Sequence, residues 1–105
     1  MIYNGIEYSI SEKYSNKVWP NRDLTSCVDM KGCVIYASSF YNEKPNSTVL
    51  PSDLSGTTFI KCQLNNVIVP NGVTLIDCDT RKFQVQNDGF DWWLDNDGNP
   101  MERIG

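Results

Sequence analysis

Thirteen acidic side chains, four cysteines and no histidine bound the chemistry open to this 105-residue chain. Without an imidazole, Ser-His and Cys-His activation of a nucleophile are gone, together with the commonest general base. No glycine-rich phosphate loop carrying a lysine occurs. Carboxylate pairs for glycoside cleavage can be drawn from Asp77, Asp79 or Asp91. A chain this short, however, has little wall to spare for a cleft that buries a ligand. The expectation is a protein that is not an enzyme, with no catalytic residue and no cofactor.

Cysteines are the next candidates. Cys27 and Cys33 stand six apart, Cys62 and Cys78 sixteen apart, and no Cys-x-x-Cys pair exists. A structural zinc would need all four thiolates from distant segments, since no histidine can help. Small buried thiols stacked in a core explain Cys62 and Cys78 better, so no metal site is expected. Asp95-Asn96-Asp97-Gly98-Asn99 glances at a calcium loop, but its glycine falls at the fourth position rather than the sixth. A turn is the expectation there.

The acids themselves are unevenly placed. Residues 1–76 hold six acids and six bases, whereas residues 77–105 hold seven acids against Arg81, Lys82 and Arg103. The whole net charge of −4 therefore sits in the last quarter. Asp77, Asp79, Asp88, Asp91, Asp95 and Asp97 can form one negative face, which would attract a basic partner. Trp92 and Trp93 beside them are the residue type that anchors interfaces. These eight are the candidate partner-binding residues. The plainer reading is that Asp recurs because turns need it and that one or both tryptophans are buried. No basic cluster exists, which argues against direct binding to nucleic acid.

The elements that must position these residues are strands. Ala37 is the only alanine, and Asn, Asp, Ser, Thr, Gly and Pro punctuate nearly every ten residues. Those types favour turns, and the Val, Ile, Thr, Tyr, Phe and Trp between them favour pleated surfaces. The N-terminus lacks the charged start and apolar run of a signal peptide. No apolar stretch approaches the ~20 residues that cross a bilayer. A soluble protein of a reducing cytoplasm is expected, with no membrane partner and with free thiols.

A hidden repeat gives the strands an order. Gly32-Cys33-Val34-Ile35-Tyr36-Ala37-Ser38, Gly56-Thr57-Thr58-Phe59-Ile60-Lys61-Cys62 and Gly72-Val73-Thr74-Leu75-Ile76-Asp77-Cys78 share one pattern. Leu24, Thr48 and Leu64 stand eight positions before the glycines. The copies are 24 and 16 residues apart, with 41–48 reading as an inserted loop. A fixed period with small residues at corners predicts an all-β fold: a short right-handed β-helix of about three coils, each stacked on the last at ~4.8 Å. Alternation predicts Ile60, Cys62 and Leu64 inward, stacked between Tyr36, Ser38, Phe40 and Ile76, Cys78, Thr80. Lys61 and Asp77 would pair on the outside. One domain, 1–105, results, with an N-terminal cap (1–23), coils (24–80) and a C-terminal hairpin cap (81–105). The alternative is a β-sandwich.

The coil pattern resembles short right-handed β-helices and pentapeptide-like solenoids, and the tail from Phe83 to Glu102 is similar to the ends of small phage and prophage proteins. That resemblance implies a phage accessory protein acting in the host cytoplasm on a host defence or nucleic-acid-handling protein, as anti-CRISPR proteins and solenoid DNA mimics do. A virion part, tail or spike, whose copies associate through aromatics such as Tyr3, Tyr8, Tyr14 and Trp19 is the second expectation.

Overall fold

Runs of two to four β-formers bounded by glycine and asparagine can make only short strands, and short strands are what form. The computed structural model describes residues 1–19, 22–41, 48–85 and 91–94, with 82–85 and 91–94 given in backbone only. In chain order the strands are β1 (Ile2–Tyr3), β2 (Ile6–Glu7), β3 (Val34–Tyr36), β4 (Thr58–Ile60), β5 (Thr74–Ile76), β6 (Lys82–Val85) and β7 (Asp91–Leu94). A single 3-10 turn, Val28–Met30, is the only helical element among the described residues. The fold is all-β.

The three repeats pair in parallel. Val34, Thr58 and Thr74 are register partners, as are Ile35, Phe59 and Leu75, and Tyr36, Ile60 and Ile76. Past the strands the same spacing continues through Ser39, Gln63 and Asp79. Both hairpins close as antiparallel pairs, Ile2–Tyr3 with Ile6–Glu7 and Lys82–Val85 with Asp91–Leu94. Asn4 and Gly5 supply the positive φ values that a two-residue hairpin turn demands. The segment before β3 also pairs in parallel, through Ile10 with Val34 and Val18 with Ser39.

Two bends hold the register. Gly32 follows Lys31 (φ −57°, ψ 128°) with φ +77°, and the Cys33 N–H donates to Met30 O at 3.0 Å. That is a type II turn, whose third residue needs positive φ. Gly56 repeats it, with Thr57 N–H on Leu54 O, and its own N–H donates to Gly72 O at 3.0 Å. The glycines therefore lie against one another at one bend. The second bend is made without glycine. Asn16, Ala37, Lys61 and Asp77 all adopt left-handed φ values of 52–55°. The N–H groups of the first three donate to Tyr36, Ile60 and Ile76 at 2.8–2.9 Å.

That second bend corrects the expected facing of the strands. Phe59 joins the main core cluster with Ile35, Phe40, Leu54, Cys62 and Leu64, whereas Ile60 is buried outside that cluster. The left-handed residue at 61 interrupts the two-residue alternation, so Cys62 and Leu64 return to the interior while Ile60 faces the other side. Ile60 is fully buried there. Tyr3 packs edge-on against Tyr36 with centroids 6.2 Å apart and donates its hydroxyl to Asp77, spanning that face from β3 to the end of β5.

Upstream of the glycines the expected alignment slips by two. Asp23 pairs with Val49, which brings Leu24 beside Leu50 rather than Thr48. Both leucines are buried. Thr48 instead turns its hydroxyl inward, donating to Trp19 O and accepting from Arg22 N–H.

Candidate functional site

The eight candidate residues fall into three groups. Asp88, Asp95 and Asp97 lie outside the described residues. Asp91, Trp92 and Trp93 sit on β7, opposite Val85, Gln84 and Phe83. Asp77 and Asp79 can be followed atom by atom, and both have structural work.

Asp77 occupies the left-handed bend after β5, where Asp tolerates positive φ better than most residues. Its carboxylate accepts the Tyr3 hydroxyl. That bond, above all, pushes the Tyr3 phenol up to about 12. The expected pairing with Lys61 is absent among the described residues, although the two occupy equivalent bends.

Asp79 closes its own turn. One carboxylate oxygen accepts the Arg81 N–H at 3.2 Å and Nε at 2.9 Å, and the other accepts Nη2 at 2.6 Å. The Arg81 bonds hold the Asp79 carboxyl below the usual carboxylate range. Asp23 and Asp53 make the same turn with Thr25 and Ser55, in each case through one oxygen that takes both the N–H and the hydroxyl. The Asp-x-Ser/Thr spacing was present in the sequence and marks these turns. Asp77 remains exposed, whereas much of the Asp79 charge is offset by Arg81.

Sequence reasoning missed a column of donors beside the second bend. Ser38, Cys62 and Cys78 each turn a hydroxyl or thiol onto the carbonyl of the preceding repeat: Ser38 Oγ on Tyr14 O, Cys62 Sγ on Ile35 O at 3.4 Å, and Cys78 Sγ on Phe59 O at 3.2 Å. In each case a small donor at one fixed position, just past the bend, adds a bond to a carbonyl of the segment before it. The Ser/Cys ending each repeat was the visible signal. Thr57 does similar service at the glycine bend, donating to Met30 O and accepting Gly32 N–H, both at 3.0 Å.

Other clusters are plainer. Asp29 accepts the Tyr14 hydroxyl and pairs with Lys13 at 2.7 Å, and Cys33 Sγ reaches Asp29 O. Burial first, then Asp29, raises the Tyr14 phenol. Among the described residues no three His, Cys, Asp or Glu side chains converge as metal ligands. No helix there is long and apolar enough to cross a membrane.

Of the aromatics assigned to subunit contacts, Tyr3, Tyr14 and Trp19 pack within the chain. Tyr14 is 1% exposed and tilts against Trp19, and Tyr3 lies on Tyr36. The apolar surface left over is elsewhere. A groove of about 210 Å³ runs along Val49, Leu50, Pro51, Ile68 and Pro70. A second of about 290 Å³, lined by Val67, Val69, Pro70, Val73 and Leu75, opens at the last repeat.

No family model matches the chain, and neither a curated protein nor a solved structure matches it.

Proposed function

We propose that the chain winds as a short right-handed β-solenoid and acts without catalysis, by laying its acidic C-terminal end on a basic partner. In-register parallel pairing of three repeats, with one glycine bend and one left-handed bend common to all, supports the winding. A β-sandwich would instead pair its neighbours antiparallel. The observation that carries the function is where the charge falls. Exposed Asp77 ends the last paired repeat, and residues 78–105 continue from it with six further acids against three bases. Such a field raises the association rate with a basic, nucleic-acid-handling protein, and occlusion of that protein's working surface follows. The phage-like tail makes a host defence protein the natural target and a host cytoplasm the place.

Capture from a bacterial lysate, with mass spectrometry of what is retained, tests the proposal. The partner should be basic, bind near one to one, and leave in raised salt. Reversal of Asp88, Asp91, Asp95 and Asp97 to lysine should abolish capture with little change in thermal midpoint. A partner held equally by that variant overturns the acidic-face reading.

A second reading, a virion part built of associated copies, draws on the groove at the last repeat, where Leu75 is exposed. A stable closed oligomer at micromolar concentration would favour it.

A further inference from the structure

Cys62 and Cys78 occupy the same position in adjacent repeats. They are framed on one side by the pair Ile60 and Ile76, and on the other by Gln63 and Asp79. The Asp79 N–H donates to Cys62 O at 3.0 Å, fixing the two backbones side by side. Neighbouring strands lie ~4.8 Å apart, inside the ~4.4–6.8 Å of Cα separation that a disulfide bridges. The column's third member is a hydroxyl, Ser38, so this is a pair of thiols with a stop below it. Cys27 and Cys33 belong to the separate surroundings of Asp29.

We propose that Cys62 and Cys78 form a redox pair, which a hydroperoxide closes into a reversible disulfide joining the second and third repeats. Cys78 is the half-buried member and meets the oxidant, while Cys62 is buried behind it. The neighbouring Cys62 thiol lowers the pKa of Cys78. The same closeness, with burial, raises Cys62. Thus Cys78 supplies thiolate and Cys62 keeps a proton to give.

In the first step the Cys78 sulfur attacks one peroxide oxygen. The O–O bond breaks, the leaving oxygen takes a proton as water or alcohol, and Cys78 becomes a sulfenic acid. In the second, the Cys62 sulfur attacks the Cys78 sulfur and the S–O bond breaks. Hydroxide leaves with the Cys62 proton as water. Two thiols have lost two electrons, and the peroxide has gained them. Both thiols point at carbonyls of the preceding repeat, so bridging requires Cys78 Sγ to leave Phe59 O. A bridge between side chains set parallel is strained, which makes it readily reducible.

Both residues lie on one tryptic peptide, 62–81. After brief exposure of the folded chain to hydrogen peroxide, that peptide should be two hydrogens lighter and take up no alkylating agent. Dithiothreitol should restore both thiols. Cys62→Ser should leave Cys78 trapped by dimedone as a sulfenic acid with no bridge, and Cys78→Ser should leave Cys62 unreacted. Circular dichroism before and after oxidation confirms that the chain is folded. A peptide 62–81 that stays fully alkylatable while Cys27 and Cys33 oxidise overturns the proposal, as does a bridge that forms only in urea.

Discussion

Phe59→Ala and Leu75→Ala test one ladder at two depths. The residues are register partners, yet Phe59 is 0% exposed and Leu75 37%. Phe59 packs between the flanking repeats and meets Phe40 edge-on at 5.8 Å. Truncation to alanine removes that contact and leaves a cavity walled on both sides, a loss of about 3–5 kcal/mol. Leu75 borders the open groove at the last repeat, where the vacated space joins solvent. Its truncation should cost less than about 2 kcal/mol, below the usual range for a sealed leucine. A chain this size has roughly 5–15 kcal/mol in all, so Phe59→Ala removes a large share. Urea unfolding followed by tryptophan fluorescence reads the difference. With a slope of about 2 kcal/mol per molar, the Phe59→Ala midpoint should fall by ~2 M and the Leu75→Ala midpoint by less than ~1 M. Equal losses, or a larger loss at Leu75, would mean that the ladder does not face a common interior with its last member at the open end.

At the left-handed bend, Lys61→Gly should stabilise by about 1 kcal/mol and Lys61→Val should destabilise by about as much, since only glycine meets no steric cost there; thermal midpoints decide. Thr57→Val keeps shape but strands Gly32 N–H and leaves Met30 O with the Cys33 N–H alone, and should lower the unfolding free energy by about 1–2 kcal/mol in urea. Folded Tyr3 holds its proton to about 12, above the ~10 of an unfolded tyrosine. Its bond to Asp77 therefore stabilises fully below pH 10, and that contribution fades as pH rises to 12. The stability-versus-pH slope over this window should flatten in Tyr3→Phe. Asp53, bound by Lys31 and Ser55, is depressed to about 2, so its contribution is present above ~4 and is lost as pH falls toward 2. Asp53→Asn should flatten the acid limb of the same profile.

Much of the architecture was legible because the repeat carries its own geometry. Glycine at 32, 56 and 72 announces one bend, and β-branched residues behind it announce strands in register. The second bend was not legible, because Ala37, Lys61 and Asp77 share no side-chain type that marks a left-handed backbone. That omission put Ile60 on the wrong face and passed over Phe59. The two-residue slip at Leu24 arose next to the 41–48 insertion, where no glycine pins the alignment. As for the site, the Asp-x-Ser/Thr spacing marks the turns at Asp23 and Asp53, but Asp79 makes its turn with Arg81 and carries no such spacing. The partnership of Asp77 with Tyr3 joins residues 74 apart, and no local pattern writes such a contact.

Scalar couplings across hydrogen bonds, measured on the labelled chain by NMR, test the common register most directly. Amide nitrogens of Ala37, Lys61 and Thr74 should couple to the carbonyl carbons of Ile60, Ile76 and Thr57, matching the three bonds that run from repeat to repeat. Couplings that instead connect these strands antiparallel, or that shift the partners by a residue, would contradict the stacking on which the core, the bends and the thiol pair all depend.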